Sequence, residues 1–241
     1  MSSGPLRPEA HGARDRIAAW YIRKVSARFL DDAARAAFER AIAAIERASA
    51  VEVVVAVRRR SAAYLHANVI AGALAALAGL AAMLFGDHVF ALSSILIDPF
   101  IAGAVVGAAV EQLPGVKRLL APAAMRHRHV ARAARATFVE RGVHNTRDRS
   151  GVLIYISWLE REVVLVADSG LEHRLPPEAR ARAERALTAA MPHGGAAVAR
   201  ELERLASSLG AAMPVREGDV NELPDTVDSD LDRRSRGRPR R

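Results

Sequence analysis

Two long apolar segments, separated by a two-residue loop, constrain this chain more than any other feature. From 61 to 86 no residue carries a formal charge, and the second segment carries only one charged residue, Asp98. About 20 apolar residues are enough for a helix to cross the ~30 Å hydrocarbon core of a bilayer. The soluble alternative is a pair of core helices, but a domain this small has little core to cover them. The sequence therefore predicts a two-helix transmembrane hairpin over 61–112, with spans of about 62–85 and 89–110.

Basic residues flank both ends of the hairpin, whereas the loop between the spans contains none. Arg58, Arg59 and Arg60 precede the first span, and Arg126 and Arg128 follow the second. Positive residues are retained on the cytoplasmic side of a membrane. We therefore expect a multi-pass protein of the inner (plasma) membrane with both termini cytoplasmic. Membrane lipids are expected partners, with these five arginines at the headgroups.

Polar residues inside the spans are candidates for function. Asp98 lies near the middle of the second span, directly before Pro99. A carboxylate at this depth is costly and usually faces a partner or water. One interpretation is an ion or proton contact, with His66 or Asn68 on the first span as partner. The other is a protonated or snorkelling side chain at a proline kink.

Small residues in the spans are spaced as in closely packed membrane helices. Gly72 and Gly79 lie seven residues apart, and Gly103 and Gly107 form a GxxxG step. Such positions allow two helix backbones to approach closely. They predict a packed hairpin and a homo-oligomer formed through it.

The segments on either side of the hairpin alternate between helical and strand patterns. They predict helices over 14–29 and 32–48 (the latter capped by Asp31 or Asp32), a strand at 51–57, then after the hairpin a helix over 129–141, strands at 151–157 and 162–167, and helices over 176–191 and 196–209. Alternation of this kind is typical of α/β domains. We expect one such domain, split by the hairpin into 14–60 and 113–213.

Both ends of the chain are polar and lack periodic apolar residues. The segments 1–13 and 214–241 are therefore predicted to be disordered. The net charge of +8 suggests nucleic acid as a ligand, but six positive charges come from the arginines clustered at 233–241, at the very end of the tail. Within that tail, 236–239 matches the core of an AT-hook. Contact with anionic lipid or simple solubilisation suits a membrane-anchored chain better, so nucleic acid is not an expected partner.

Two sequence blocks resemble the TPM domain family. They are AIAAIERASAVEVVVAVRRRS, over 41–61, and ARATFVERGVHNTRDRSGVLIYISWLEREVVLVADSGLEHRLP, over 134–176. The resemblance implies an αβα sandwich with a small central sheet, here interrupted by the transmembrane hairpin. Some plant members are acid phosphatases and some bacterial members bind metal, so the resemblance also implies these activities as alternatives.

Residues suited to chemistry are few. The chain has no cysteine, no P-loop, no GxSxG and no HExxH motif. Asp168 directly follows the third predicted strand, Asp148 precedes the second, and Glu172 is nearby. Ligands often bind beyond the carboxyl ends of strands, and such oxygens suit Ca²⁺ or Mg²⁺. The alternative is that Asp168 caps a turn before the next helix.

Three functions remain open from the sequence. The first is a non-enzymatic interaction or assembly module, displayed to the cytoplasm for an unknown protein partner. The second is a metal-assisted (acid) phosphatase that uses Asp148 and Asp168. The third is a small transport or accessory subunit that depends on Asp98. The lack of a complete catalytic set favours the first.

Overall fold

The structure, a computed structural model, describes residues 29–215, 222–223 and 226–231. These residues divide between two compact units. The helical unit contains 64–120, and the α/β unit contains 29–63 together with the described residues from 121 onward. The segment predicted as disordered at 1–13 and the AT-hook-like 236–239 lie outside the described residues, as does all but the last residue of the helix predicted over 14–29.

The elements follow one another in an order that places two long helices between the first and second strands. In chain order they are α1 (Asp32–Ala48), β1 (Val53–Arg58), α2 (Leu65–Phe85), α3 (Leu92–Val110), α4 (Pro114–Leu120), α5 (Ala123–Glu140), β2 (Val152–Ser157), β3 (Glu162–Ala167), α6 (Ser169–Glu172), α7 (Pro177–Ala190), α8 (Gly195–Glu203), α9 (Ala206–Ala212) and β4 (Asp228–Ser229).

A four-stranded mixed sheet in the order β3-β2-β1-β4 forms the centre of the α/β unit. Strand β1 is parallel to β2, with Val53 opposite Val152, and it is also parallel to β4. Strand β3 is antiparallel to β2. The predicted α/β class is therefore confirmed, and the sheet joins segments from both sides of the two long helices.

Apolar side chains of β1 alternate between two cores on opposite faces of the sheet. Val53, Val55 and Val57 belong to the larger core, together with residues of α1, α7 and α8. Val54 and Ala56 belong to a smaller core with residues of α5. All residues from 53 to 57 are buried. This explains the nearly continuous apolar run, because a strand covered on both faces has no solvent-facing positions.

Local signals position most helix ends. The Asp31 carboxylate accepts a hydrogen bond from the Ala34 N–H at 2.8 Å, which selects Asp31 as the cap of α1. Helix α5 begins at Ala123 rather than His129, and it ends before Gly142, which adopts φ +65. Residues of this conformation commonly end helices, and glycine adopts it without strain.

The segment 226–231 corrects the prediction that all residues from 214 are disordered. Asp228 and Ser229 pair with Ala56 and Val57 of β1, and Leu231 is 2% exposed within the larger core. The acidic residues of this segment contact arginines of the α/β unit, as described below. A single buried leucine leaves no periodic pattern, so the sequence carries no local signal for this strand.

The helical unit contains two helices, α2 and α3, that are each long and apolar enough to cross a membrane. They run antiparallel, because Gly72 lies against Gly103 whereas Gly79 lies against Pro99. A Cβ atom added to Gly72 would lie 2.7 Å from the Gly103 carbonyl oxygen. The two backbones therefore approach as closely as membrane helices do at glycine contacts.

Candidate functional site

Asp98 lies on an exposed face of α3, whereas the next residue, Pro99, is buried beside Gly79 of α2. Gly107, nearer the other end of α3, lies against the backbone of Asn68. Asn68 and Gly79 are separated along α2 by about 16 Å at the helical rise of ~1.5 Å per residue. Asp98 and Asn68 therefore lie at different levels of the antiparallel helix pair.

Asn68 has a different partner within the helical unit. Its Nδ2 donates a hydrogen bond to Oε2 of Glu111 at 2.8 Å, beyond the end of α3. The same Glu111 carboxylate forms an ion pair with Lys117 at 2.6 Å. His66 is two residues nearer than Asn68 to the start of α2, so the antiparallel register also separates it from Asp98. Among the described residues, neither Asn68 nor His66 is placed beside Asp98, and the alternative of a side chain at a proline kink stays open.

Asp168 follows β3 as predicted, but it lies at the amino end of β2 rather than beside the carboxyl ends of the parallel strands β1 and β2. Because β3 is antiparallel to β2, its carboxyl end meets the amino end of β2, and the Asp168 N–H donates to the Gly151 carbonyl at 2.8 Å. The Asp168 Oδ1 accepts the Ser169 N–H at 2.7 Å and so caps α6. Its Oδ2 is buried, with Nη1 of Arg149 at 3.7 Å. Asp168 therefore acts as a helix cap, which is the alternative that the sequence left open.

The other two predicted metal ligands do not complete a site around Asp168. Glu172 pairs with Arg180 of α7 at 3.3 Å, and the Asp148 side chain is exposed. Within the described ranges, no group of three or more histidine, aspartate or glutamate side chains is arranged to hold a metal ion. The predicted Ca²⁺ or Mg²⁺ site of Asp148, Asp168 and Glu172 is therefore not formed by this structure.

Arg58 and Arg59, at the end of β1, contact the acidic residues in and beside β4. The Arg58 guanidinium bonds to the Asp228 carboxylate and also donates to the Asp228 carbonyl at 3.1 Å. Arg141 pairs with the same carboxylate, and the Arg59 N–H donates to Oδ1 of Asp230 at 2.7 Å. The Arg58 side chain thus joins β1 to β4, and its predicted contact with lipid headgroups stays a prediction.

A buried polar network lies at the carboxyl ends of β1 and β2, where the sequence predicted nothing. The Ser61 N–H donates to Oε1 of Glu160 at 3.0 Å, and the Ser61 hydroxyl lies 2.7 Å from that of Ser157. The Ser157 hydroxyl donates to the other Glu160 oxygen. Ser157 and Glu160 are 0% and 4% exposed. Each polar group has a partner, as buried groups require, so the network fastens the two strand ends together.

Tyr155 belongs to the same network, and its hydroxyl lies 3.3 Å from that of Ser61. Burial raises the pKa of Tyr155 above its usual value; the Glu160 and Asp230 carboxylates raise it further, while the Ser61 contact and Arg58 oppose this shift. The phenol is thus held in its neutral form. Sequence patterns could not reveal this network, because Ser61 begins the predicted hairpin and Glu160 lies between the predicted strands 151–157 and 162–167.

The outer edge of β3 is closed by side chains of α7. The Val163 N–H donates to Oγ1 of Thr188 at 3.0 Å, and the Leu165 N–H donates to Oε1 of Glu184 at 2.9 Å. The four-residue step from Glu184 to Thr188 rises ~6 Å along α7, close to the ~6.8 Å between alternate strand residues, so both side chains reach N–H groups of β3. This arrangement protects an edge strand from pairing with another chain.

An open groove of about 680 Å³ runs beside this edge, between the start of α5 and helix α7. Its lining includes the basic side chains of Arg126, His127, Arg161 and Arg185. The Nδ1 atom of His127 contacts the Glu162 carboxylate of β3. Arg161 adopts φ +53, a conformation that side-chain-bearing residues seldom take. This groove is the candidate binding surface of the α/β unit.

Comparison with known proteins gives one fold relationship. No protein-family model matches the chain, and no curated protein matches it. The chain is similar to the NMR structure of BA42 protein from the psychrophilic bacteria Bizionia argentinensis, with a TM-score of 0.50 and 15% identity over 83% of this chain and 95% of that one. At this identity the similarity shows a shared fold and carries no function.

Proposed function

We propose that this chain is an integral membrane protein that displays a TPM-like α/β unit to the cytoplasm as an interaction or assembly module. The burial pattern of α2 and α3 is the observation that supports this most directly. None of the most apolar window of α2 is buried, and only 17% of that of α3 is. Core helices of a soluble protein have the opposite pattern, since their apolar side chains face the interior.

The exposed side chains of these helices are large and cover much of their length. Leu74 and Leu77 of α2 are 58% and 63% exposed, and Phe100 and Ile101 of α3 are 71% and 56% exposed. Contiguous apolar surface of more than a few hundred Å² is rare on soluble monomers. In hydrocarbon such a surface has no unfavourable hydration, so a bilayer is the environment that fits these helices.

Flanking charge supports the proposed orientation. The residues between α2 and α3 include no lysine or arginine, whereas Arg59 and Arg60 precede α2 and Lys117 and Arg118 follow α3. These basic residues lie within the distance from the spans over which positive charge sets topology. The α/β unit is therefore proposed to lie on the cytoplasmic side.

An interaction role agrees best with how the acidic side chains of the α/β unit are used. Asp168 caps α6, Glu172 pairs with Arg180, and Glu160 accepts hydrogen bonds from two serines. Metal-assisted phosphatase chemistry requires several carboxylates that converge on one point. The open groove beside β3, in contrast, offers an accessible surface for a ligand or partner.

A topology measurement tests the proposal. Because the chain contains no cysteine, Asp87→Cys and Ser169→Cys each introduce a single thiol at an exposed position. With a membrane-impermeant maleimide, we expect labelling at 87 in intact cells and labelling at 169 only after permeabilisation. Labelling at 169 in intact cells would place the α/β unit outside the cytoplasm. Release of the chain from membranes by alkaline carbonate would contradict the proposal that it is an integral membrane protein.

A further inference from the structure

We propose that the groove between α5 and α7 binds the phosphate group of an anionic phospholipid. This inference rests on the proposed membrane anchoring and identifies a lipid headgroup as one partner of the α/β unit. The same chemistry would also suit a free phosphate compound, and the lining of the groove favours the lipid for the reasons below.

The groove lies where the chain leaves and re-enters the α/β unit. Ser61, the third residue before Tyr64, bonds to Glu160, and Glu160 lines the groove. Ala123, the third residue after Leu120, lines the groove as well. Along the chain, only residues 62–64 lie between Ser61 and the start of α2, and only 121 and 122 lie between the end of α4 and Ala123. A groove on such a short tether to membrane helices remains within reach of lipid headgroups.

The carboxylates that line the groove already accept contacts from within the unit. Glu162 pairs with His127, Glu184 accepts the Leu165 N–H, and Glu160 accepts the Ser61 N–H. They therefore hold defined positions and do not bridge to Arg161 and Arg185, which form no ion pair with any described residue. Both of these arginines are exposed at the groove.

Guanidinium groups are suited to phosphate because they donate two parallel hydrogen bonds to its oxygens. Arg126 lines the same groove from α5, and its Nη1 donates to the Ala121 carbonyl at 2.6 Å, which orients the side chain. Arg161, Arg185 and Arg126 thus bring cationic groups from the β2–β3 turn, α7 and α5 to one concave surface.

The remaining lining is apolar, which distinguishes a lipid from a free phosphate. Ala123 and Ala124 of α5, Val163 of β3, and Ala181 and Ala189 of α7 form this part of the wall. A phospholipid presents its phosphate beside the glycerol and the first acyl carbons, so charged and apolar surfaces are needed together. A small free phosphate compound has no apolar part that would contact this wall.

The test uses the purified full chain in a neutral detergent, titrated calorimetrically with dihexanoyl phosphatidylglycerol or dihexanoyl phosphatidylcholine. The groove variant is Arg161→Gln/Arg185→Gln. The matched control is Arg132→Gln/Arg182→Gln, which removes the same charge from exposed positions of α5 and α7 outside the groove. We expect phosphatidylglycerol to bind in preference to phosphatidylcholine, with a roughly tenfold loss of affinity in the groove variant and less than about twofold in the control.

Each other outcome overturns a defined part of the proposal. Equal affinity for the two lipids, or unchanged affinity in the groove variant, removes the headgroup site. If inorganic phosphate displaces phosphatidylglycerol at equal concentration, the ligand is a free phosphate compound and the lipid assignment is wrong. Alkaline extraction tests membrane anchoring independently of lipid binding. If the chain stays in the membrane but binds neither lipid preferentially, the groove proposal is wrong while the proposed anchoring stands.

Discussion

The two units of this chain use similar apolar side chains in opposite ways. In the α/β unit, Ile154 and Leu202 are 1% and 0% exposed. In the helical unit, Ile101 and Leu77 are 56% and 63% exposed. Apolarity alone therefore does not identify a core residue, and the exposed apolar side chains of the helical unit are the ones that the proposed bilayer setting accounts for. Water drives the first set inside, whereas the second set suits an apolar solvent.

The units also differ in what holds their elements together. Helices α2 and α3 meet at Gly72 and Gly103, where backbone lies against backbone. The sheet and helices of the α/β unit meet through large aliphatic and aromatic side chains, such as Phe38 and Ile156. Close glycine packing is effective where lipid supplies no hydrophobic drive between helices. The same type of substitution should therefore have different effects in the two units.

The largest expected difference comes from placing an aspartate in each unit. Ile154→Asp buries an unpaired charge in the larger core and should destabilise the α/β unit by more than about 4 kcal/mol. Ile101→Asp should leave that unit intact but add about 3 kcal/mol to the free energy of membrane insertion. Chemical denaturation followed by tryptophan fluorescence measures the first effect, and alkaline extraction measures the second. An equal loss of α/β stability in both variants would contradict the conclusion that the two units place apolar side chains in different surroundings.

A second comparison concerns the glycine contact of the helical unit. A Cβ atom at Gly103 would lie 2.6 Å from the Gly72 carbonyl oxygen and 3.0 Å from the Ala76 Cβ. Gly103→Val should therefore separate the helices at a cost of about 1–3 kcal/mol, seen as an earlier thermal loss of helical circular dichroism in detergent. Gly115→Val is the control, since nothing lies within 4 Å of its added Cβ. Similar effects from both variants would show that the close approach is unimportant.

A third prediction concerns how the α/β unit holds β4. Asp228→Asn removes the charge that Arg58 and Arg141 share and should cost about 1–3 kcal/mol, because hydrogen bonds to charged groups are worth roughly that much. Amide exchange at Asp230, whose N–H donates to the Val57 carbonyl at 3.2 Å, should become faster. Glu201→Gln, which breaks an exposed pair with Arg204, should cost less than about 1 kcal/mol. Unchanged exchange in the Asp228 variant contradicts the assigned role.

The smallest expected effect is confined to alkaline pH. The folded unit holds the Tyr155 proton more tightly than the unfolded chain does, because burial raises the pKa of Tyr155 above the usual tyrosine value of about 10. The stability it contributes is present below pH 10 and is lost as pH rises through the folded pKa. Tyr155→Phe cannot ionise, so its unfolding midpoint should fall less steeply above pH 10. Parallel pH curves for the two proteins would show that Tyr155 does not titrate with unfolding.

Sequence patterns were sufficient for the features that depend on neighbouring residues. The β-branched runs predicted β1 to β3 to within two residues at each end, and the two apolar runs predicted α2 and α3. Asp31 was one of two candidate caps for α1. These features follow from strand and helix periodicity and from local hydrogen bonding, which a single sequence records directly.

The position of Asp168 follows from the length of the turn between β2 and β3. Parallel strands require a crossover of a dozen or more residues, whereas only 158–161 separate β2 from β3. A turn of this length already makes β3 antiparallel, and it therefore places Asp168 at the amino end of β2. The rule that ligands bind beyond the carboxyl ends of strands applies to the parallel pair β1 and β2, where Ser61 and Ser157 lie.

Other features depend on residues too far apart for any local pattern. Arg58 and Asp228 are 170 positions apart, and Ser61 and Glu160 are 99 apart. The groove likewise gathers residues from α5, the β2–β3 turn and α7. Nothing in the spacing of these residues predicts their contact. Only the sheet order brings them together.

The parallel pairing of β1 with β2 has a consequence for the order of events during synthesis. Val53 cannot meet Val152 until about 100 further residues have been made, which takes about 5–20 s at ~5–20 residues per second. During that time β1 has no sheet partner, while both apolar helices emerge from the ribosome. The α/β unit therefore cannot complete its sheet until α2 and α3 have been synthesised. A chain stalled before β2 would present an incomplete sheet to quality-control proteases.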